Sequence, residues 1–327
     1  MPRTARLDSP GILQHVMARG IERLEIFLDD TDRKVFVDRF AELLDETVAQ
    51  CYAWALIPNH FHLLLKTWKR PLSIFMRRLM TGHAVVFNRR YNRSGHVFQN
   101  RYSSKICDED VYLHELIRYI HLNPLRAGLV KDVEQLADFA WCGHGVLLGR
   151  RANPLSRPLD QKPSEEEATT KRCLADETVD EVLLLFGNTE SVARREYELF
   201  VRSGWEKPET SDDDKALFGF GRRIKKKSKH RELTDARILG DEFFIREIWA
   251  QLEEDKLTEF RVSKLEFQEL IRRICKAYGI DKEQLLSGYK AKPVTESRAL
   301  ACYLGCRELG LSAAQVAKHL RMSVVGV

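Results

Sequence analysis

Between Thr47 and Cys107 the chain has neither aspartate nor glutamate. Over the whole sequence 53 lysines and arginines are nearly balanced by 48 acids, for a net charge of +5, so this gap is a matter of placement and not of composition. Lys66, Lys69, Arg70, Arg77, Arg78, Arg89, Arg90, Arg93, Arg101 and Lys105 all fall inside it. So many like charges repel one another unless a polyanion or acids from elsewhere in the chain neutralise them, and nucleic acid is the commonest such polyanion. The competing reading is a solvated helix face with its acids supplied from other segments. The length of the stretch favours nucleic acid.

Other absences narrow the field. The seven cysteines are odd in number and include no CxxC pair, which excludes a disulfide scaffold and points to reduced thiols in the cytoplasm. Cys302 and Cys306 lie one helical turn apart, but no third thiol joins them and His319 stands at no metal-ligand spacing, which excludes a zinc site. No signal peptide is present, and no apolar run is long enough to span a bilayer. A cytoplasmic, nucleoid-associated protein with no membrane partner is expected.

Within the acid-free stretch stands Ile57-Pro58-Asn59-His60-Phe61-His62-Leu63-Leu64-Leu65. On a strand, side chains alternate between faces, so His60 and His62 point the same way while Phe61 enters the opposite layer. That geometry can hold one metal ion; two histidines that merely alternate outward are the alternative. The preceding run Cys51–Leu56 is also strand-like, and Pro58-Asn59 carries turn chemistry between the two.

Around this hairpin the pattern predicts a strand over 12–20, a helix from Asp29, a helix from Pro71, a strand from His96 to Ile106 and a helix from Asp108. Strand, helix, hairpin, helix, strand, helix describes an α+β fold, a ferredoxin-like antiparallel sheet with covering helices and one sheet face left for ligand. On the last helix Glu115, Tyr119 and Asn123 are four apart and stack on one face, and Pro124 places Asn123 at its C-terminal edge. Taken alone, Tyr119 reads as a boundary tyrosine with a half-buried ring.

Four blocks taken together resemble a family. They are His15-Val16-Met17-Ala18-Arg19-Gly20, Ile57 to His62, Gly95-His96-Val97-Phe98-Gln99-Asn100-Arg101-Tyr102, and Arg118-Tyr119-Ile120-His121-Leu122-Asn123-Pro124-Leu125-Arg126-Ala127-Gly128. Their order and content resemble the REP-associated tyrosine transposases, within the single-tyrosine HUH transposases. The resemblance implies that His60 and His62 bind a divalent metal, Mg²⁺ or Mn²⁺, with Asn123 as third ligand, and that Tyr119 is the nucleophile. It further implies a metal-dependent endonuclease and strand transferase acting on single-stranded or hairpin-forming repeat DNA through a 5′-phosphotyrosine, in a bacterial setting. Ligation needs neutral histidine, so activity is expected to fall below about pH 6.5. Two rivals stand beside this: an inactive nucleic-acid-binding regulator, and a metal phosphodiesterase in which water attacks. Arg77, Arg78, Arg89, Arg90, Arg93, Arg101 and Lys105 are the expected DNA contacts, close to the metal.

The domain reading is 1–148 for this nuclease part, 149–172 for a linker, 173–235 for a helical extension and 236–327 for a helical DNA-binding-like domain. A chain ending near Gly149 is expected to keep cleavage. Gly221 to Arg231 is a dense basic run, read as a phosphate-binding tether. Ser312 to Leu320 resembles the first helix of a helix-turn-helix, with Arg321-Met322-Ser323 as its turn. With Lys290 and Lys292 ahead of it, this region resembles the DNA-binding domain of the bacterial chromosomal replication initiator, except that Val327 falls where a recognition helix is due to start. An all-α C-terminal region with a partial helix-turn-helix is therefore expected.

Overall fold

A computed structural model describes residues 7–68, 70–156, 173–206, 235, 237–287, 289, 291–307, 309 and 311–326, with 254–266, 307 and 325 described by backbone alone. Lys69, Lys290, the basic run 221–231 and most of the expected linker, 157–172, lie outside the described residues. Contacts divide the chain into two compact units, 1–248 and 249–327.

The first unit opens with β1 (Leu13–Arg19), α1 (Asp30–Thr47), β2 (Ala49–Ile57), β3 (His60–Thr67), α2 (Leu72–Arg90) and β4 (Ser103–Cys107). These form the ferredoxin-like arrangement, with the sheet ordered β2-β3-β1-β4 and each of these neighbouring pairs antiparallel. Asp29 caps α1 through its carboxylate, which accepts from the backbone N–H of Asp32 at 3.0 Å. From α1 the apolar row Phe36, Phe40 and Leu43 meets Phe75, Met76 and Leu79 of α2, and both helices cover Phe61, Leu63 and Leu65 on one face of β3. Alternation then turns His60, His62 and Leu64 to the other face.

That second face is not open. It is covered by α3 (Glu109–His121), whose Leu116, Ile117 and Ile120 form the expected stripe, and by short helices α4 (Asn123–Arg126), α5 (Val133–Asp138) and α6 (His144–Leu147). It also receives α7 (Leu174–Leu184) and α8 (Glu190–Glu206), which the sequence reading sets beyond a linker. Val182, Leu183, Tyr197 and Val201 are buried in the same core as Leu116 and Ile120. The start of that linker is tied down too: the amide of Asn153 and the hydroxyl of Ser156 both donate to Asp176. A two-residue strand, β5 (Ile238–Leu239), adds to β4 in parallel, making the sheet five-stranded and mixed. No alternation can announce a strand of two residues.

The fourth strand is shorter than expected. Residues 91–102 form a loop instead, turned by Asn92 (φ 50°) and Gly95 (φ 93°) and joined to β1 by a single bridge, Gly20 to Phe98.

From α9 (Glu242–Tyr278) onward the described residues are helical: α10 (Lys282–Leu286), α11 (Lys292–Arg307) and α12 (Ala313–Leu320). In the second unit Phe267, Ile271, Leu285, Ala301, Val316 and Leu320 make a separate core. Ser312 and Gln315 form a capping box at α12, and Arg321, in the left-handed region, ends it. The segment Arg321-Met322-Ser323 follows it. Among the described residues it leads into a 3₁₀ turn, Val324–Gly326, and not into a recognition helix. All seven cysteines are free thiols, and among the described residues no helix is long and apolar enough to cross a membrane.

Candidate active site

The antiparallel register sets Met17 opposite His62 and Arg19 opposite His60. His15, one repeat along β1 from Met17, therefore lies diagonal to His62 on the same face, within reach of a long side chain. Its Nε2 is 2.9 Å from Nδ1 of His62, and the two rings stack at 5.2 Å between centroids. His60 is held at its own Nδ1, 2.6 Å from the Asn59 side-chain oxygen in the hairpin turn. The His60 and His62 rings are 5.1 Å apart.

Tyr119 comes down on this group from α3. Its ring is 6.0 Å from that of His62 and 5.8 Å from that of His15, edge-on to both. At 5 % exposure it is a buried residue, not the half-wet boundary tyrosine its sequence position suggests. Arg126 of α4 lays its guanidinium 4.9 Å from the centre of the Tyr119 ring and donates to the Tyr119 carbonyl at 3.2 Å. Asn123, one turn beyond Tyr119, uses its amide nitrogen on the same carbonyl, at 2.8 Å, and on that of Ile120. This is why the chain can break between α3 and α4 without losing Tyr119: side chains satisfy the carbonyls that the helix end exposes.

Burial is the main force on the histidines. It pushes His60 down to about 4, helped by the positive charge of Arg19. His62 is driven well below the usual imidazole range by burial first, then by His15, His60, Arg19 and Arg126. Both are therefore neutral far below the pH 6.5 at which the sequence reading has them protonate.

The expected DNA contacts are dispersed. Arg77, Arg78, Arg89 and Arg90 belong to α2, on the sheet face away from His60, His62 and Tyr119. Two of them are neutralised within the fold. Arg90 grips Asp29 at 2.5 Å and the buried Asp32 at 2.6 Å, while Arg78 pairs with Glu46 at 2.6 Å. Lys66 likewise pairs with Glu109. The acid-free stretch thus draws partners from either side of it, as the solvated-face reading holds, and these cations are structural. Arg93 and Arg101 lie in the 91–102 loop, and Lys105 stands opposite His15 on β4. The cations beside the histidines and tyrosine are instead Arg19 and Arg126. Both stand inside the sequence blocks quoted above, but neither belongs to a charge cluster.

Residues 9–123, the stretch that supplies β1 through α3, match the family model of IS200-like transposases. This part of the chain is an IS200-like transposase domain. Transposases of this family process DNA. Its match ends at Asn123, the first residue of α4, so Arg126 and the covering helices α5 to α8 fall outside it. Among solved structures the chain is similar to one described as a REP-associated tyrosine transposase bound to a REP hairpin, with 15% identity, 52% of this chain and 99% of that chain covered, and a TM-score of 0.38. No curated protein matches the sequence.

Proposed function

We propose that this transposase domain is a metal-dependent single-strand DNA endonuclease and strand transferase with Tyr119 as its nucleophile. The observation that carries the reading is the convergence of His60, His62 and Tyr119, with rings 5.1 and 6.0 Å apart, at one end of the sheet of an IS200-like transposase domain. That the DNA is a hairpin-forming repeat follows from the resemblance of the four sequence blocks.

The donor set fits a divalent cation. Two neutral imidazoles project from one face of β3, and both have Nδ1 committed, to Asn59 and to His15, so that Nε2 of each is the ligating atom. As the sequence resemblance implies, the side-chain oxygen of Asn123 would be the third donor, its nitrogen being spent on helix carbonyls. Two imidazoles with an amide suit Mn²⁺, and Mg²⁺ is the commoner cellular ion. An ion held by His60, His62 and Asn123 would supply Lewis-acid withdrawal of charge from the phosphate.

The side chains do the rest. The Tyr119 oxygen forms a bond to phosphorus as the bond to the leaving 3′ oxygen breaks, and the phenol proton ends on that leaving hydroxyl. A phenol is mostly protonated at neutral pH. Arg126 over the ring stabilises the phenolate as it forms, and Arg19 meets a phosphate oxygen. The bond energy is kept in the phosphotyrosine, so rejoining needs no nucleotide.

Tyr119→Phe removes the attacking oxygen and keeps the buried ring. Normal folding and hairpin binding are expected, with loss of the covalent protein–DNA adduct that the wild type forms on a hairpin oligonucleotide with Mn²⁺. Cutting by the phenylalanine variant at the wild-type rate would overturn the covalent reading in favour of water attack.

A further inference from the structure

Two residues beyond Tyr119, α3 ends on His121, which is buried. Its Nδ1 meets the Tyr197 hydroxyl at 2.7 Å, while its Nε2, also buried, has no hydrogen-bond partner among the described residues. Buried ring nitrogens are seldom left so. Beside this nitrogen stands Gly143. Its backbone, at φ −68° and ψ −10°, is one that any residue adopts, so conformation does not call for glycine here. Space does. A Cβ at 143 would lie 2.9 Å from Nε2 of His121 and 3.1 Å from Nε1 of Trp54 on β2. Two ring nitrogens from different elements thus converge at hydrogen-bonding distance of one point.

His121, Trp54, Gly143 and Thr178 line a cavity of about 20 Å³ between β2, α3 and α7. A water needs about 10 to 15 Å³ by this measure, with two to four polar partners, so the space suits one water and no organic ligand. Among the described residues no group of His, Cys, Asp and Glu side chains stands ready to hold a metal ion here. The partners suit water as well. An indole N–H can only donate, so the water accepts from Trp54 and has protons to give. His121 Nε2 takes one. The hydroxyl of the buried Thr178, whose own proton goes to the Leu174 carbonyl at 2.7 Å, has lone pairs for the other.

We infer that this cavity binds one structural water, which joins Trp54 to His121 and so sets the direction of the hydrogen bonds linking β2, α3, α8 and α6. With Nε2 accepting from the water, His121 carries its proton on Nδ1 and donates to Tyr197. Tyr197 donates in turn to Nδ1 of His144 at 2.6 Å, and His144 keeps its proton on Nε2. The inference concerns how the helix that carries Tyr119 is seated, and it stands whether or not the nuclease reading does. Its test uses the full-length, metal-free chain with ¹⁵N in the histidine rings and tryptophan indoles. Water-selective NOE and ROE spectra are expected to give a cross-peak at the Trp54 indole proton, of opposite sign in the two, which marks a held water and not proton exchange. Long-range ¹⁵N–¹H spectra are expected to find His121 protonated on Nδ1 and His144 on Nε2. Trp54→Phe keeps a ring in the sheet and removes the donor; the cross-peak is then lost and His121 becomes a mixture of tautomers. Gly143→Ala, whose methyl takes the place of the water, should lose the cross-peak while the Trp54 indole signal remains. Absence of the Trp54 cross-peak in the wild type overturns the inference, as does its survival in Gly143→Ala. So do a wild-type His121 protonated on Nε2, and histidine-ring spectra that are the same in wild type and Trp54→Phe.

Discussion

His15 shows how much of a site is decided one residue at a time. It is fully buried, and its Nε2 meets Nδ1 of His62 at 2.9 Å. For His62 to ligate through Nε2 it must carry its proton on Nδ1, and His15 then accepts that proton's hydrogen bond. Removing the acceptor frees the ring to turn or to change tautomer. His15→Ala is accordingly expected to weaken Mn²⁺ binding about ten-fold, measured by calorimetry on the protein alone, and His15→Gln, which keeps an acceptor, to restore part of it. Equal affinity in wild type and alanine variant would mean that His15 only fills space. Sequence alternation did hold the signal, because His15 shares a face with Leu13 and Met17, but which strand lies beside β1 is settled by pairing.

At the scale of elements, the transposase domain depends on helices outside its family match. Tyr197 of α8 is completely buried, and its hydroxyl sits between Nδ1 of His121, at 2.7 Å, and Nδ1 of His144, at 2.6 Å. One hydroxyl can donate to one ring and accept from the other, so the two histidines hold opposite tautomers. His121 is two residues from Tyr119 on α3. Alongside, the Arg118 guanidinium lies 4.4 Å from the Phe200 ring, and Glu181 of α7 accepts from Tyr52 and Gln50 of β2. A chain ending near Gly149 would therefore lose the cover of the Leu116, Ile117 and Ile120 core and leave two buried imidazoles without their partner. Such groups cost about 1 to 3 kcal/mol each when unpaired. Contrary to the expectation from sequence, that fragment should be aggregated or unfolded by circular dichroism and gel filtration, while one ending at Ile248 folds. A folded, cutting 1–149 fragment would refute the dependence.

Over the whole molecule, what matters is which charges the fold leaves for DNA. Of the cations in the acid-free stretch, Arg78, Arg90 and Lys66 are internally paired, whereas Arg77, Arg89, Arg93 and Arg101 have no acidic partner among the described residues. Counterion release contributes roughly 0.7 log units of affinity per decade of salt for each single-strand phosphate contact, so on the proposed function these four are expected to supply a slope of about 3. Joint replacement of Arg77 and Arg101 by Gln should lower the slope by about 1.4. Arg90→Gln should instead leave it unchanged and lower the melting temperature, because Asp32 stays buried without its cation. Salt titrations and thermal melts of both variants check this, and an equal slope loss in each would place Arg90 on the DNA.

The order of elements, the alternation that sends His60 and His62 to one face and the stripe that seats α3 were all determined by the sequence alone. Each depends on a local period, of two residues on a strand or about 3.6 on a helix, that side-chain polarity makes visible. Local pattern carries no information about what arrives from far along the chain. Only the tertiary structure decided that α7 and α8 help to close the sheet face expected to be open while β5 extends its edge, that His15 lies against His62 and Arg126 over Tyr119, and that Asp29, Asp32 and Glu46 neutralise half of the arginines on α2. Those contacts depend on which segments meet in space, where burial and Coulomb energy act regardless of separation in sequence.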